Sequence, residues 1–194
     1  MAKFLAIMSL FVLGGTAVTI LLMVARRSNP TSAAGLLADD LARNAVGLAF
    51  AVALGTTLGS LYLSEIAHFT PCVLCWYQRI CMYPLAVALL VGGLRRDGAV
   101  WNYVLPPALI GAFIAIYHTQ LQAFPHQHLV CSPTEPCTIR YIWEFGFVSI
   151  PFMSLSAFAF IITMMILARA RDRAPESDPF NPDDDAPNLQ ARVA

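Results

Sequence analysis

Apolar residues in this chain come in long unbroken runs. Phe4–Ala25 holds 22 residues without a charge, and Ala45–Ser64 holds 20 more. Ile80–Leu94 gives 15, or 23 when read back to Cys72 through Gln78 and Arg79. Ala99–Tyr117 gives 19 with Pro106-Pro107 inside, and Phe147–Ala168 gives 22. Crossing the hydrocarbon of a bilayer takes about 20 residues at about 1.5 Å each. None of the runs alternates apolar and polar residues with period 2, which argues against barrel strands. The pattern predicts five transmembrane helices.

Composition agrees. Apolar residues make up 58% of the 194, charged residues 12%, and the mean hydropathy is +0.64. A soluble chain of this length cannot bury that much apolar surface in one core. The net charge is zero, so the basic footprint of a nucleic-acid binder is missing. Arg26, Arg27 and Arg43 follow the first run, Arg95 and Arg96 the third, and Arg169, Arg171, Arg173 and Arg192 the fifth. These nine of the twelve basic residues belong on the cytoplasmic side; Lys3, Arg79 and Arg140 remain outside. The expected topology is N-terminus out and C-terminus in. A cleaved signal peptide is the competing reading of the first run, but its length and the Arg-Arg behind it argue against that.

The expected organisation is an extra N-terminal transmembrane helix over 1–27, a cytoplasmic linker over 28–44, a four-helix bundle over 45–173, and a tail over 174–194. The tail carries Pro175, Pro179, Pro182, Pro187 and Asp183-Asp184-Asp185, and reads as disordered and cytoplasmic. The fold class is an all-α membrane protein: a four-helix transmembrane bundle plus one further helix.

Four of the five cysteines form two close pairs on the outer side. Thr70-Pro71-Cys72-Val-Leu-Cys75-Trp-Tyr-Gln-Arg79 predicts a helix start, with Thr70 as cap and Pro71 in the first position. Both sulfurs then share a face where free N–H groups and the helix dipole favour a thiolate. Arg79 lies one turn past Cys75 on that face, where a cation is costly unless it holds something; snorkelling to the headgroups is the plainer alternative. Cys-x-x-Cys alone reads either as a redox dithiol or as half of a zinc site. Cys131 and Cys137 sit in a polar loop with Pro133 and Pro136. They read as a bracing disulfide or as an exposed, exchangeable one. Two exchangeable pairs on one face favour an electron relay.

In order and placement, Pro71–Arg79, Tyr117-His118-Thr-Gln-Leu-Gln122, Cys131/Cys137 and Trp143–Pro151 resemble the DsbB/BdbC disulfide bond formation family over about residues 45–168. The resemblance implies a thiol:quinone oxidoreductase in the bacterial cell membrane. It would reoxidise an extracytoplasmic thioredoxin-fold thiol oxidase and pass the electrons to ubiquinone or menaquinone. Cys131 and Cys137 would face the partner, Cys72 and Cys75 the quinone, with Cys75 making the thiolate contact. Arg79 and His118 match positions near the quinone ring. No metal is expected. The family core lacks a counterpart of Phe4–Ala25. A vitamin K epoxide reductase-like enzyme is the alternative in mechanism, although its loop pair precedes its Cys-x-x-Cys. A disulfide-braced membrane protein without activity is the alternative in class.

Other residues read more plainly. Cys81 is a buried helix thiol. His126 and His128 fall in a solvated loop. Trp76, Tyr77, Trp101 and Trp143 suit the interfacial belt. Gly55 and Gly59 suit close helix packing.

Overall fold

The computed structural model describes residues 2–29, 31–124, 131 and 137–172. It contains helices α1 (Ala2–Ser28), α2 (Ala33–Leu61), α3 (Val73–Arg95), α4 (Trp101–Ala123) and α5 (Ile150–Asp172). A π-helical turn, Tyr62–Ile66, continues α2. All five helices are long and apolar enough to cross a membrane. The protein is an all-α, multi-pass membrane protein. Among the described residues, β pairing amounts to an isolated bridge between Glu144 and Val148, ahead of α5.

Helices α2, α3, α4 and α5 form a closed ring of neighbours, and α1 packs against α2 and α5 from outside. The buried face of α2 is built from Gly35, Ala38, Ala42, Ala45, Ala49 and Ala53. Steps of three and four keep these small residues on one seam, where helix backbones approach closely. Large side chains of α5, among them Phe158, Ile161, Met164 and Met165, fill the bundle centre. Gly111 on α4 gives Phe158 its room: a Cβ there would lie 2.3 Å from the ring.

Much of the stretch read as a linker over 28–44 is helical, because α2 starts at Ala33. Ser32 caps it, its hydroxyl accepting from the Gly35 N–H at 3.2 Å. The apolar run breaks at Asp39, Asp40, Arg43 and Asn44, yet the buried seam passes between them. Charge on the outer face ended the run without ending the helix. Arg26 pairs with Asp39 at 2.8 Å across the α1–α2 turn. The tail from 173 onward, including Arg173 and Arg192, lies outside the described residues, as do His126 and His128.

Gly111→Ala should destabilise the bundle by about 1–3 kcal/mol, because Phe158 is fully buried and cannot move aside. Thermal unfolding in detergent checks this. Gly55→Ala, where a Cβ meets nothing within 4 Å, should unfold like the parent.

Candidate functional site

Helix α3 begins two residues later than its sequence suggests. Cys72 is extended (φ −69°, ψ 170°) and takes the cap position expected for Thr70. Pro71 therefore stands before the helix, and Cys75 falls in its first turn. The Cys72 and Cys75 sulfurs are free thiols 3.1 Å apart. The first-turn N–H groups and the positive dipole end lie at their level.

The apolar run read from the sequence stops at Tyr117, but α4 continues to Ala123, and His118 is buried within it. A buried imidazole among helices needs partners for both nitrogens. The Gln78 amide meets Nδ1 at 3.0 Å. The Cys137 carbonyl lies 3.2 Å from Nε2, and the Cys72 sulfur 3.7 Å from it. An amide N–H donated to Nδ1 places the ring proton on Nε2, facing the carbonyl and the sulfur. The hydrogen bond from Cys75 and then His118 outweigh burial and hold the Cys72 thiol below its ordinary range. The sequence pointed to a lowered thiol at this helix start; in the structure His118 adds a partner beside Cys72.

The second pair is joined: Cys131 and Cys137 form a disulfide with Cα atoms 5.9 Å apart. Residues 132–136 between them lie outside the described residues. The bridge is less exposed than a proline-bearing loop suggests. Cys137 is 2% exposed and packs with Leu74 and Leu121, while Cys72 and Cys131 lie against the same cluster. The returning chain is tied to α4, with Gln122 Nε2 donating to the Ile139 carbonyl at 3.1 Å and Arg140 donating to the Gln122 carbonyl. Arg140 also lies 3.9 Å from the Trp143 ring centroid. These ties bring the two cysteine pairs together.

Arg79 does not reach outward. Its Nε donates to Ser60 Oγ at 2.9 Å and a terminal nitrogen donates to the Ser60 carbonyl at 3.0 Å, both on α2. The Tyr83 hydroxyl approaches Ser60 Oγ at 3.5 Å. Arg79, Cys72, Cys75, His118 and Gln122 all line one cavity of about 870 Å³. Most of its wall is apolar, drawn from α1, α2 and α5. Gly55 opens onto it, and Gln122 Oε1 is a buried acceptor with no hydrogen-bond partner among the described residues. One polar end and one long apolar wall fit an amphipathic ring compound such as a quinone, and the unfilled acceptor fits a hydroxyl of its reduced form.

A metal has one candidate place among the described residues. The donor atoms of Cys72, Cys75 and His118 lie within 4.8 Å of one another. Cys131 and Cys137 do not supply the other half of a zinc site, because they are bonded to each other.

Sequence reasoning missed Gln78 and Ser60. Gln78 is a polar residue one turn past Cys75 on a membrane helix, which is itself a signal. Ser60 offered none, since a serine in a transmembrane run satisfies itself on its own backbone. Cys81 packs against the bundle core away from the site. Trp76 and Trp143 are exposed as belt residues should be.

Fold and site together define a membrane thiol oxidoreductase. Residues 42–168 match the family model described as "Disulfide bond formation protein DsbB". The chain is 50% identical over 120 residues to "Disulfide bond formation protein C" of Bacillus subtilis (strain 168), covering 61% of this chain and 87% of that one. It is 47% identical over 117 residues to "Probable disulfide formation protein C" of Halalkalibacterium halodurans, covering 59% and 85%. A "Probable disulfide formation protein" of Metapseudomonas resinovorans is 40% identical over 131 residues, covering 66% and 91%. No solved structure matches the chain significantly. The chain belongs to the DsbB disulfide bond formation family.

In the reduced protein, alkylation of Cys72 should already be fast at mildly acidic pH. His118→Phe should move its midpoint upward, because the lowered thiol loses its second support. Rate against pH, read by mass spectrometry of the Cys72 peptide, checks the direction.

Proposed function

We propose that the protein is an extracytoplasmic-facing thiol:quinone oxidoreductase. It reoxidises a thioredoxin-fold disulfide-forming partner and passes the electrons to ubiquinone or menaquinone. The observation that carries this is the meeting of both cysteine pairs at the polar end of one amphipathic cavity.

The partner's thiolate attacks Cys131, breaking the Cys131–Cys137 bond and forming a mixed disulfide. The freed Cys137 thiolate attacks Cys72 in the oxidised Cys72–Cys75 pair, and Cys75 leaves as a thiolate. The partner's second thiol resolves the mixed disulfide and frees Cys131. Cys131 then attacks Cys137, releasing Cys72 and re-forming the loop disulfide. Each exchange runs through a thiolate. His118 steadies Cys72 whenever that sulfur carries charge, and Gln78 keeps the imidazole proton on Nε2. Arg79, held on Ser60, supplies positive charge beside the Cys75 thiolate and the polar end of the cavity. Gln122 Oε1 is available to accept from a hydroxyl. A bound quinone would take up the electron pair and two protons, with Cys72–Cys75 closing again.

The N-terminus and both cysteine pairs face out, and the C-terminus faces in. Arginines in the last turns of α1, α3 and α5 support this. Reporter fusions after Ala33 and after Ala174 should both report cytoplasm. An external signal at either site would overturn the orientation.

The deciding assay mixes purified protein, a reduced thioredoxin-fold oxidase and a soluble quinone, and follows quinone absorbance. Cys131→Ser should abolish transfer from the partner while Cys72–Cys75 still forms with quinone. Cys75→Ser should block quinone reduction while Cys131 is still trapped by the partner. Normal partner oxidation by Cys131→Ser would reverse the relay order.

Arg79→Met should raise the KM for quinone about tenfold or more, the loss of one charge-assisted contact. Arg79→Lys keeps the charge without the fork that grips Ser60, and should fall between. Parental kinetics for Arg79→Met would leave Arg79 a structural strap on α2.

A further inference from the structure

Helix α1 lies outside the matched segment 42–168, yet it forms part of the cavity wall. It packs against α2 and α5, the two bundle helices that flank the cavity, and covers the seam between them. The cover is close. A Cβ on Gly59 of α2 would meet Leu5 at 3.6 Å, and one on Gly15 of α1 would meet Phe160 of α5 at 3.5 Å.

The face that α1 offers has a definite chemistry. Leu5, Met8 and Val12 line the cavity, opposed by Val52 on α2 and Phe160 on α5. Ser9 lies among them, but its hydroxyl is spent on the Ala6 carbonyl at 2.8 Å. Polar groups gather at the other end, on α3 and α4, around Cys75, Arg79 and His118. A cavity of about 870 Å³ is at the large end of pockets that bury a drug-sized ligand, about 300–1,000 Å³. A single six-membered ring at the cysteines leaves most of it empty. Gly55 of α2 lines the same cavity and leaves open space there, with nothing within 4 Å of where a Cβ would lie.

We propose that α1 builds a subsite for the isoprenoid tail of the quinone, with Leu5, Met8 and Val12 as the residues that read the tail. This rests on the quinone reading above. The ring end is served by α3 and α4, and the tail end by a helix added outside the family segment. The subsite favours tailed over tail-less quinones and takes no part in thiol exchange.

The test is steady-state reduction of a quinone series that shares one ring and differs in the number of isoprene units, using the full chain in detergent. With the parent protein, KM should fall as the tail lengthens. Met8→Trp and Val12→Trp push bulk into the tail path. They should raise KM for tailed quinones about tenfold, the loss of burial for roughly two methylenes. KM for the tail-less quinone and kcat should stay within about twofold of the parent. Equal losses on tailed and tail-less quinones would make α1 a mere support and overturn the proposal. A parent KM indifferent to tail length would overturn it as well, leaving the quinone reading intact. A parent that reduces no quinone would sink both readings together. A second measurement needs no variant: a quinone carrying a photoreactive group on its tail should label the Leu5–Val12 segment of the parent chain. Labelling confined to α3 or to no peptide of α1 would refute the subsite.

Discussion

The site depends on one buried imidazole that must satisfy both its nitrogens inside a membrane bundle. A ring nitrogen buried among helices without a partner would cost several kcal/mol. His118 solves this with an α3 side chain, Gln78, on one nitrogen and the main chain of Cys137 on the other. Those bonds fix the rotation of α3 against α4 and bring the loop disulfide down onto the helix start. The Cys72 sulfur lies 3.7 Å from the same nitrogen that binds the Cys137 carbonyl. Both redox pairs are thus registered on a single atom, Nε2 of His118.

The cavity follows from what α2 leaves out. Alanines and Gly35 along its seam let the bundle close at one end. Toward the cysteine end the seam gives way to Gly55, Thr56, Gly59 and Ser60, which line the cavity. Ser60 has a second duty, since both its hydroxyl and its carbonyl accept from Arg79. A carbonyl near the end of α2, where the helix passes into a π turn, is available to a guanidinium. The cation is therefore held inside the protein, where snorkelling would have taken it to the headgroups.

The helices were legible because lipid makes apolar length a strong signal, and five runs became five helices. Their ends were less so. Polar residues on one face of α2 hid its first three turns, and α4 ran on past Tyr117 because Leu121 and Gln122 are buried against the returning loop. The cysteine pairs were legible from spacing, and Cys131 with Cys137 is a closed bridge. Their mutual approach was not, since it hangs on Gln78, His118 and a main-chain carbonyl, and the carbonyl has no letter in the sequence. Nor was the cavity-facing role of α1 legible: an apolar face looks the same whether it meets lipid, a neighbour helix or a ligand.

The lining residues also bear on direction. The cavity takes the first half of α1, the second half of α2, the first half of α3, the end of α4 and the first half of α5. Successive antiparallel helices place all of these at one end of the bundle. The opposite end carries Arg26 and Arg27, Arg95, Arg169 and Arg171, each in the last turn of its helix and suited to the negative dipole end there. The cysteine pairs and the cavity therefore occupy one half of the membrane's thickness, away from the arginine belt. In the proposed relay, electrons passing from loop disulfide to cavity would need no path across the bilayer. They would need a short lateral one, from a disulfide packed on the helix start to the apolar gap between α2 and α5.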